Sequence, residues 1–237
     1  NLSDIFLEMM AAERGASNNT CQAYQRDIAD FSEWMSQRGR SVEAATSDDI
    51  RGFLSALADR QLATSSSARK LSTLRQFFGF LQGDGHRSDN PTTIVDSPRQ
   101  GRSLPKVLSE ADVDRLLAAT RTVKGPAGIR LTAMMELLYA TGLRVSELVA
   151  LPLNAVTGKR QFLLVTGKGN KERLVPITGE ARAAVDAYLE IWLMFVPDGK
   201  QSKFLFPSRG KEGHITRRRF AQMLSDLAPG AGLHHHE

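Results

Sequence analysis

Apolar residues return every three or four positions through much of the chain, and the first hundred residues carry three such stripes. Tyr24, Ile28, Phe31 and Met35 share one face, with Trp34 beside them, and predict an amphipathic helix. A second helix is predicted through Ile50, Phe53, Leu54 and Leu57, with Ser47 as its N-cap. A third follows the serines at 65–67. Leu71, Leu74, Phe78 and Leu81 line one side, Arg69, Lys70 and Arg75 are expected on the other, and Gly83-Asp84-Gly85 stops it. The aromatics of these stripes read as core.

Residues 96–106 break the pattern with two prolines, a glycine and three basic residues, and predict a linker. Beyond it Ser109 caps a helix with Asp112 three residues on, and Val113, Leu116 and Leu117 give that helix its apolar face. Leu131, Met134, Met135 and Leu138 line the next, which ends near Gly142, and a new helical turn starts at Arg144. The period then changes. Residues 162–165 and 174–177 predict two short strands joined by the basic turn Gly167-Lys168-Gly169-Asn170-Lys171. Further helices are predicted through Ala184, Tyr188, Leu189 and Trp192, and from about Thr216 through Phe220, Met223 and Leu224. The organisation expected is a helical domain over 1–95, a linker over 96–107 and a second domain over 108–237. The fold class is mainly α with a small antiparallel β-sheet.

Charge sharpens this division. Residues 1–96 carry 10 Lys and Arg against 13 Asp and Glu, whereas residues 97–237 carry 21 against 13. That asymmetry suits a polyanion partner for the second half, and a merely solvated basic surface fits it equally well. Cys21 is the only cysteine, which excludes an intrachain disulfide and a cysteine-rich metal site and fits a reducing cytoplasm. No long apolar run predicts a membrane span. The chain opens Asn1-Leu2-Ser3 without methionine, so its natural start is expected upstream. His234-His235-His236 reads as a tag remnant or an abrupt end and is set aside from the chemistry.

Two segments carry candidate chemistry. Arg144 begins a helical turn after Gly142, and Glu147 lies three residues on along the same face. Taken alone this is also an ordinary surface ion pair. The hairpin segment Val165 to Ile177 gathers Lys168, Lys171 and Arg173 close to its tip, with glycines flanking Lys168. It lacks the spacing of a phosphate-binding P-loop and the third glycine of a dinucleotide fingerprint.

Together, Gly142-Leu143-Arg144-Val145-Ser146-Glu147 and Gly167-Lys168-Gly169-Asn170-Lys171-Glu172-Arg173 resemble the tyrosine recombinase (phage integrase) family, and within it the XerC/XerD branch. Thr20 through Trp34, Ser67 through Leu81, Asp89-Asn90-Pro91, Phe204 through Ser208 and Thr216 through Phe220 support the resemblance along nearly the whole chain. It implies an N-terminal SAM-like helical bundle and an α+β catalytic domain, here incomplete at its C-terminus.

The resemblance further implies Arg144 and Lys168 as catalytic cations with Glu147 in support. It implies strand cleavage through a 3′-phosphotyrosine without metal or other cofactor. The family's later histidine and arginine motif and its nucleophilic tyrosine are expected beyond residue 237. Tyr24, Tyr139 and Tyr188 read as core or surface, so no nucleophile is assigned and the chain alone is expected to be inactive. Arg69, Lys70, Arg75, Lys171, Arg173, Arg217, Arg218 and Arg219 are the candidate DNA contacts. The implied partners are double-stranded DNA and a paralogous recombinase in a tetrameric synapse, in the bacterial cytoplasm at the nucleoid. The implied role is resolution of chromosome dimers. A phage or transposon integrase and a non-catalytic DNA-binding module are the competing readings, with a helix-turn-helix regulator behind them.

Overall fold

The computed structural model describes residues 1–98, 107–156, 161–167, 171–197 and 201–233. Lys168, linker residues 99–106 and His234 to His236 lie outside the described residues. The chain divides into two compact units, Asn1–Leu104 and Pro105–Glu237.

The first unit holds four α-helices among its described residues: α1 (Leu2–Ala12), α2 (Asn18–Ser36), α3 (Ser47–Asp59) and α4 (Thr64–Gly83). Helix α1 adds to the three that periodicity predicts. Its apolar residues Ile5, Phe6, Leu7, Met9 and Met10 run together without a clean stripe, yet Phe6 and Met10 alone are fully drawn into the core. Helix α3 is capped by Thr46 rather than Ser47. The Thr46 hydroxyl accepts the Asp49 N–H, and the Asp49 carboxylate accepts the Thr46 N–H at 2.7 Å, a reciprocal cap that needs a spacing of three. Edge-on aromatic contacts knit the core. Phe31 meets Phe53 at 5.1 Å between ring centroids, and Phe6 meets Phe77 at 5.4 Å.

The second unit contains α5 (Glu110–Thr122), α6 (Pro126–Thr141), α7 (Val145–Val149), strands β1 (Phe162–Thr166) and β2 (Glu172–Pro176), α8 (Gly179–Ile191) and α9 (Arg217–Leu227). Ser109 and Asp112 form the predicted capping box at the start of α5. Helix α6 packs against both α5 and α8, so Leu131, Ala133, Met134, Met135 and Leu137 are all buried and its apolar surface wraps most of the helix. The strands pair antiparallel with Leu164 opposite Leu174 and Val165 opposite Arg173. Alternation turns Leu163 and Val165 inward and leaves Phe162 and Leu164 exposed. This is a mainly helical architecture with, among the described residues, one small antiparallel sheet, the fold class the sequence predicts. No helix among the described residues is long and apolar enough to cross a membrane.

Candidate active site

Gly142 ends α6 in the left-handed region at φ 59°, where a side chain would be strained, and its N–H is bonded to the Leu138 carbonyl. Leu143 is then buried and Arg144 takes an extended conformation as the N-cap of α7. The Arg144 side chain has no acceptor to offer the first turn of α7, and Glu147, three residues on, binds back to it. Its Oε2 accepts the Arg144 N–H at 2.8 Å, while Oε1 accepts from Arg144 Nη1 at 2.9 Å. One carboxylate thus caps the helix and holds the guanidinium of the capping residue.

A second guanidinium reaches the same carboxylate from the sheet. Arg173 on β2 donates from Nη1 to Oε1 at 3.1 Å and from Nη2 to Oε2 at 2.8 Å, a two-pronged contact. The Glu147 side chain is only 8% exposed, whereas that of Arg144 is 62% exposed. Arg173's hydrogen bonds do most to hold the Glu147 carboxyl down to about 2, with Arg144 adding to them and desolvation opposing. The same contact raises the pKa of Arg173.

The hairpin root meets this cluster. A β-carbon on Gly167 would stand 3.0 Å from Arg173 Nη1 and 3.4 Å from Glu147 Oε1, so a glycine leaves the ion pair its room. The Gly167 N–H donates to the Lys171 carbonyl at 2.7 Å and closes the root of the turn. Lys168, the next residue, lies outside the described residues.

The structure therefore brings Arg144 and Glu147 together as the sequence leads one to expect, and adds Arg173. Arg173, expected as a DNA contact, is 36% exposed and has its fork on Glu147. A signal for this lay in strand parity, because Arg173 falls on the same half-buried face as Val175. Lys171 is exposed.

The cations of α4 separate in the same way. Lys70, expected on the open side of the helix, is buried at 6% exposure, its ammonium bonded to Asp30 and lying 3.3 Å from Asp27. Arg75 donates to the Val95 carbonyl at 2.6 Å and to Ser97 Oγ at 2.9 Å, tying down the segment after α4. Arg69 remains half exposed, with Nη1 bonded to the buried Asp27. On α9, Arg217, Arg218 and Arg219 are exposed, and Arg219 donates to Gln222 at 3.0 Å. The sequence reading missed a further basic surface, where Lys203, Arg209 and Lys211 border an open cleft of about 460 Å³.

Tyr188 is fully buried and donates its hydroxyl to the Leu205 carbonyl at 3.0 Å, with burial pushing its pKa upward. Tyr24 stacks on Phe6 in the first unit, and Tyr139 is exposed on α6.

Residues 4–85 match the N-terminal SAM-like domain of phage integrases, and residues 106–237 match the phage integrase family. The chain belongs to the phage integrase family of tyrosine recombinases. Within that family it is most like XerD. It is 46% identical over 232 residues to tyrosine recombinase XerD of Caulobacter vibrioides, covering 98% of this chain and 76% of that protein. It is 47% identical over 236 residues to XerD of Rhizobium meliloti, covering 97% and 75%. The chain thus spans about three quarters of the length of these relatives. Among solved structures, XerH bound to its difH substrate before cleavage superposes with a TM-score of 0.75 at 16% identity, over 99% of this chain and 70% of that one. A lambda integrase tetramer on a Holliday junction gives 0.69 at 18% identity, over 98% and 66%. These two share the fold.

Proposed function

We propose that the protein cuts and rejoins DNA at specific sites through a 3′-phosphotyrosine intermediate, with Arg144 and Lys168 acting on the scissile phosphate and Glu147 in support. The observation that carries this reading is the exposed Arg144 guanidinium anchored on a buried carboxylate beside the root of a lysine-bearing hairpin. As the tyrosine oxygen attacks, negative charge builds on the non-bridging phosphate oxygens. A planar, permanently charged fork can donate to two of them at once. The bond from phosphorus to the 5′ oxygen breaks, and Lys168 supplies the proton that this oxygen takes up. The new phosphotyrosine bond conserves the phosphodiester, so rejoining requires only a 5′-hydroxyl from a partner strand.

In this reading Arg69, Lys171, Arg217, Arg218 and Arg219 meet the DNA backbone or bases, and affinity falls steeply with salt. The likeness to XerD supports a role in resolving chromosome dimers in the bacterial cytoplasm, within a tetramer that includes a paralogous recombinase. In the full-length protein bearing the family's tyrosine, incubation with a nicked suicide duplex is expected to give a covalent adduct. Arg144→Ala is expected to lower its formation at least about a hundredfold while DNA binding persists. Adduct formation near the wild-type rate in Arg144→Ala would refute the assignment, and binding without adduct in the unaltered protein would leave a DNA-binding module.

A further inference from the structure

We propose that Arg173 is a positioning residue for strand cleavage, fixing Arg144 through Glu147, and that it makes no DNA contact of its own. The inference rests on the reading of Arg144 given above. An arginine that is 62% exposed at a helix start has a long, mobile side chain, and a single i,i+3 ion pair at a surface holds such a chain weakly. Arg144 needs an anchor that cannot turn. Glu147 becomes one because both its oxygens are fixed from outside α7: Arg173 donates to Oε1 at 3.1 Å and to Oε2 at 2.8 Å. The Arg144 N–H adds a bond to Oε2 at 2.8 Å. With the carboxylate plane set, Oε1 presents one direction to Arg144 Nη1, which meets it at 2.9 Å.

Three features point to this arrangement as built. Arg173 sits on a paired strand, opposite the buried Val165, so its backbone is held in register. Its fork matches the carboxylate geometry, which an ammonium cannot do. Gly167 leaves the space the pair occupies. Among the described residues, the Arg144 guanidinium makes a single hydrogen bond through Nη1 to a side chain, so its remaining N–H groups stay available for phosphate. Arg173 has both terminal nitrogens engaged by Glu147, which leaves its fork no free pair of donors for a phosphate.

The test uses the full-length protein with its tyrosine and compares Arg173→Ala, Arg173→Lys, Glu147→Ala and the Glu147→Ala/Arg173→Ala double variant. Single-turnover cleavage of a nicked suicide duplex is measured beside DNA affinity across a salt series. Arg173→Ala is expected to slow cleavage about 10- to 100-fold, with affinity within about twofold and an unchanged salt slope. Arg173→Lys is expected to regain little of the rate, and it carries the test if the alanine variant fails to fold. The double variant is expected to be no slower than Glu147→Ala, because the two act as one unit. On a duplex with a methylphosphonate at the scissile position, which lacks one charged oxygen, the Arg173→Ala deficit is expected to shrink. A salt slope reduced by about one, a normal cleavage rate, multiplying deficits in the double variant or an undiminished methylphosphonate deficit would each overturn the proposal. An unaltered protein that forms no adduct refutes the recombinase reading instead.

Discussion

Replacing Asp27 by alanine strikes the most deeply buried charged group among the described residues of the first unit, and its cost follows from what is left behind. Asp27 is 1% exposed on α2 and accepts from three side chains of α4: Arg69, Lys70 and the Thr73 hydroxyl, the last at 2.8 Å. Without it, Lys70 stays buried with Asp30 alone, and Thr73 keeps only the Arg69 carbonyl at 3.3 Å. Breaking a buried charge network from one side costs about 3–5 kcal/mol. Asp30→Ala removes a carboxylate that is 55% exposed and leaves Lys70 its contact to Asp27, so it is expected to cost about 0–1 kcal/mol. For a unit of this size the difference corresponds to roughly 10 °C or more in melting temperature.

Hydrogen exchange of the α2 and α4 amides over a native-state urea series in the whole chain reads the opening of this unit separately from the other. The Asp27→Leu/Lys70→Met pair is the control, because a matched apolar replacement should bring stability back to within about 1 kcal/mol of the starting protein. If Asp27→Ala and Asp30→Ala differ by less than about 1 kcal/mol, the account of a buried, multiply bonded carboxylate is wrong.

Two other outcomes are expected beside those tied to Arg144 and Arg173. The Glu147 carboxyl should titrate near 2, below its ordinary value of 4.5. Its stabilising contribution is therefore complete above about pH 4.5 and is lost as pH falls toward 2. A carbon-detected side-chain titration checks this: Arg173→Ala should move the midpoint upward, and a midpoint of 4 or above in the unaltered protein would contradict the clamp. Gly128→Ala should cost at least about 3 kcal/mol, because the added carbon would fall 1.8 Å from the Val123 carbonyl oxygen and force backbone apart. A thermal melt within 3 °C of the parent would show that the turn into α6 relaxes easily.

Much of this architecture was legible along the chain, because periodicity and capping are local. Ser109 with Asp112, the helix stop at Gly142 and the change from a period near 3.6 to a period of 2 at Phe162 each depend on residues a few positions apart. Arg144 and Glu147 were legible for the same reason, being one turn apart. What the sequence could not decide is which element covers which face. Leu71, Leu74, Phe78 and Leu81 mark one stripe of α4, but that helix is central to its unit. Lys70, Thr73, Phe77 and Phe80 are buried as well, against the neighbouring helices. Only that packing turns Lys70 from a surface cation into a buried partner of Asp27. Arg173 is decided in the same way, since Glu147 stands 26 residues earlier and meets it only because β2 packs against α6, the helix that α7 follows. A side chain's neighbours across the fold are set by how helices and strands dock, and docking is a property of the whole unit that no short window of sequence contains.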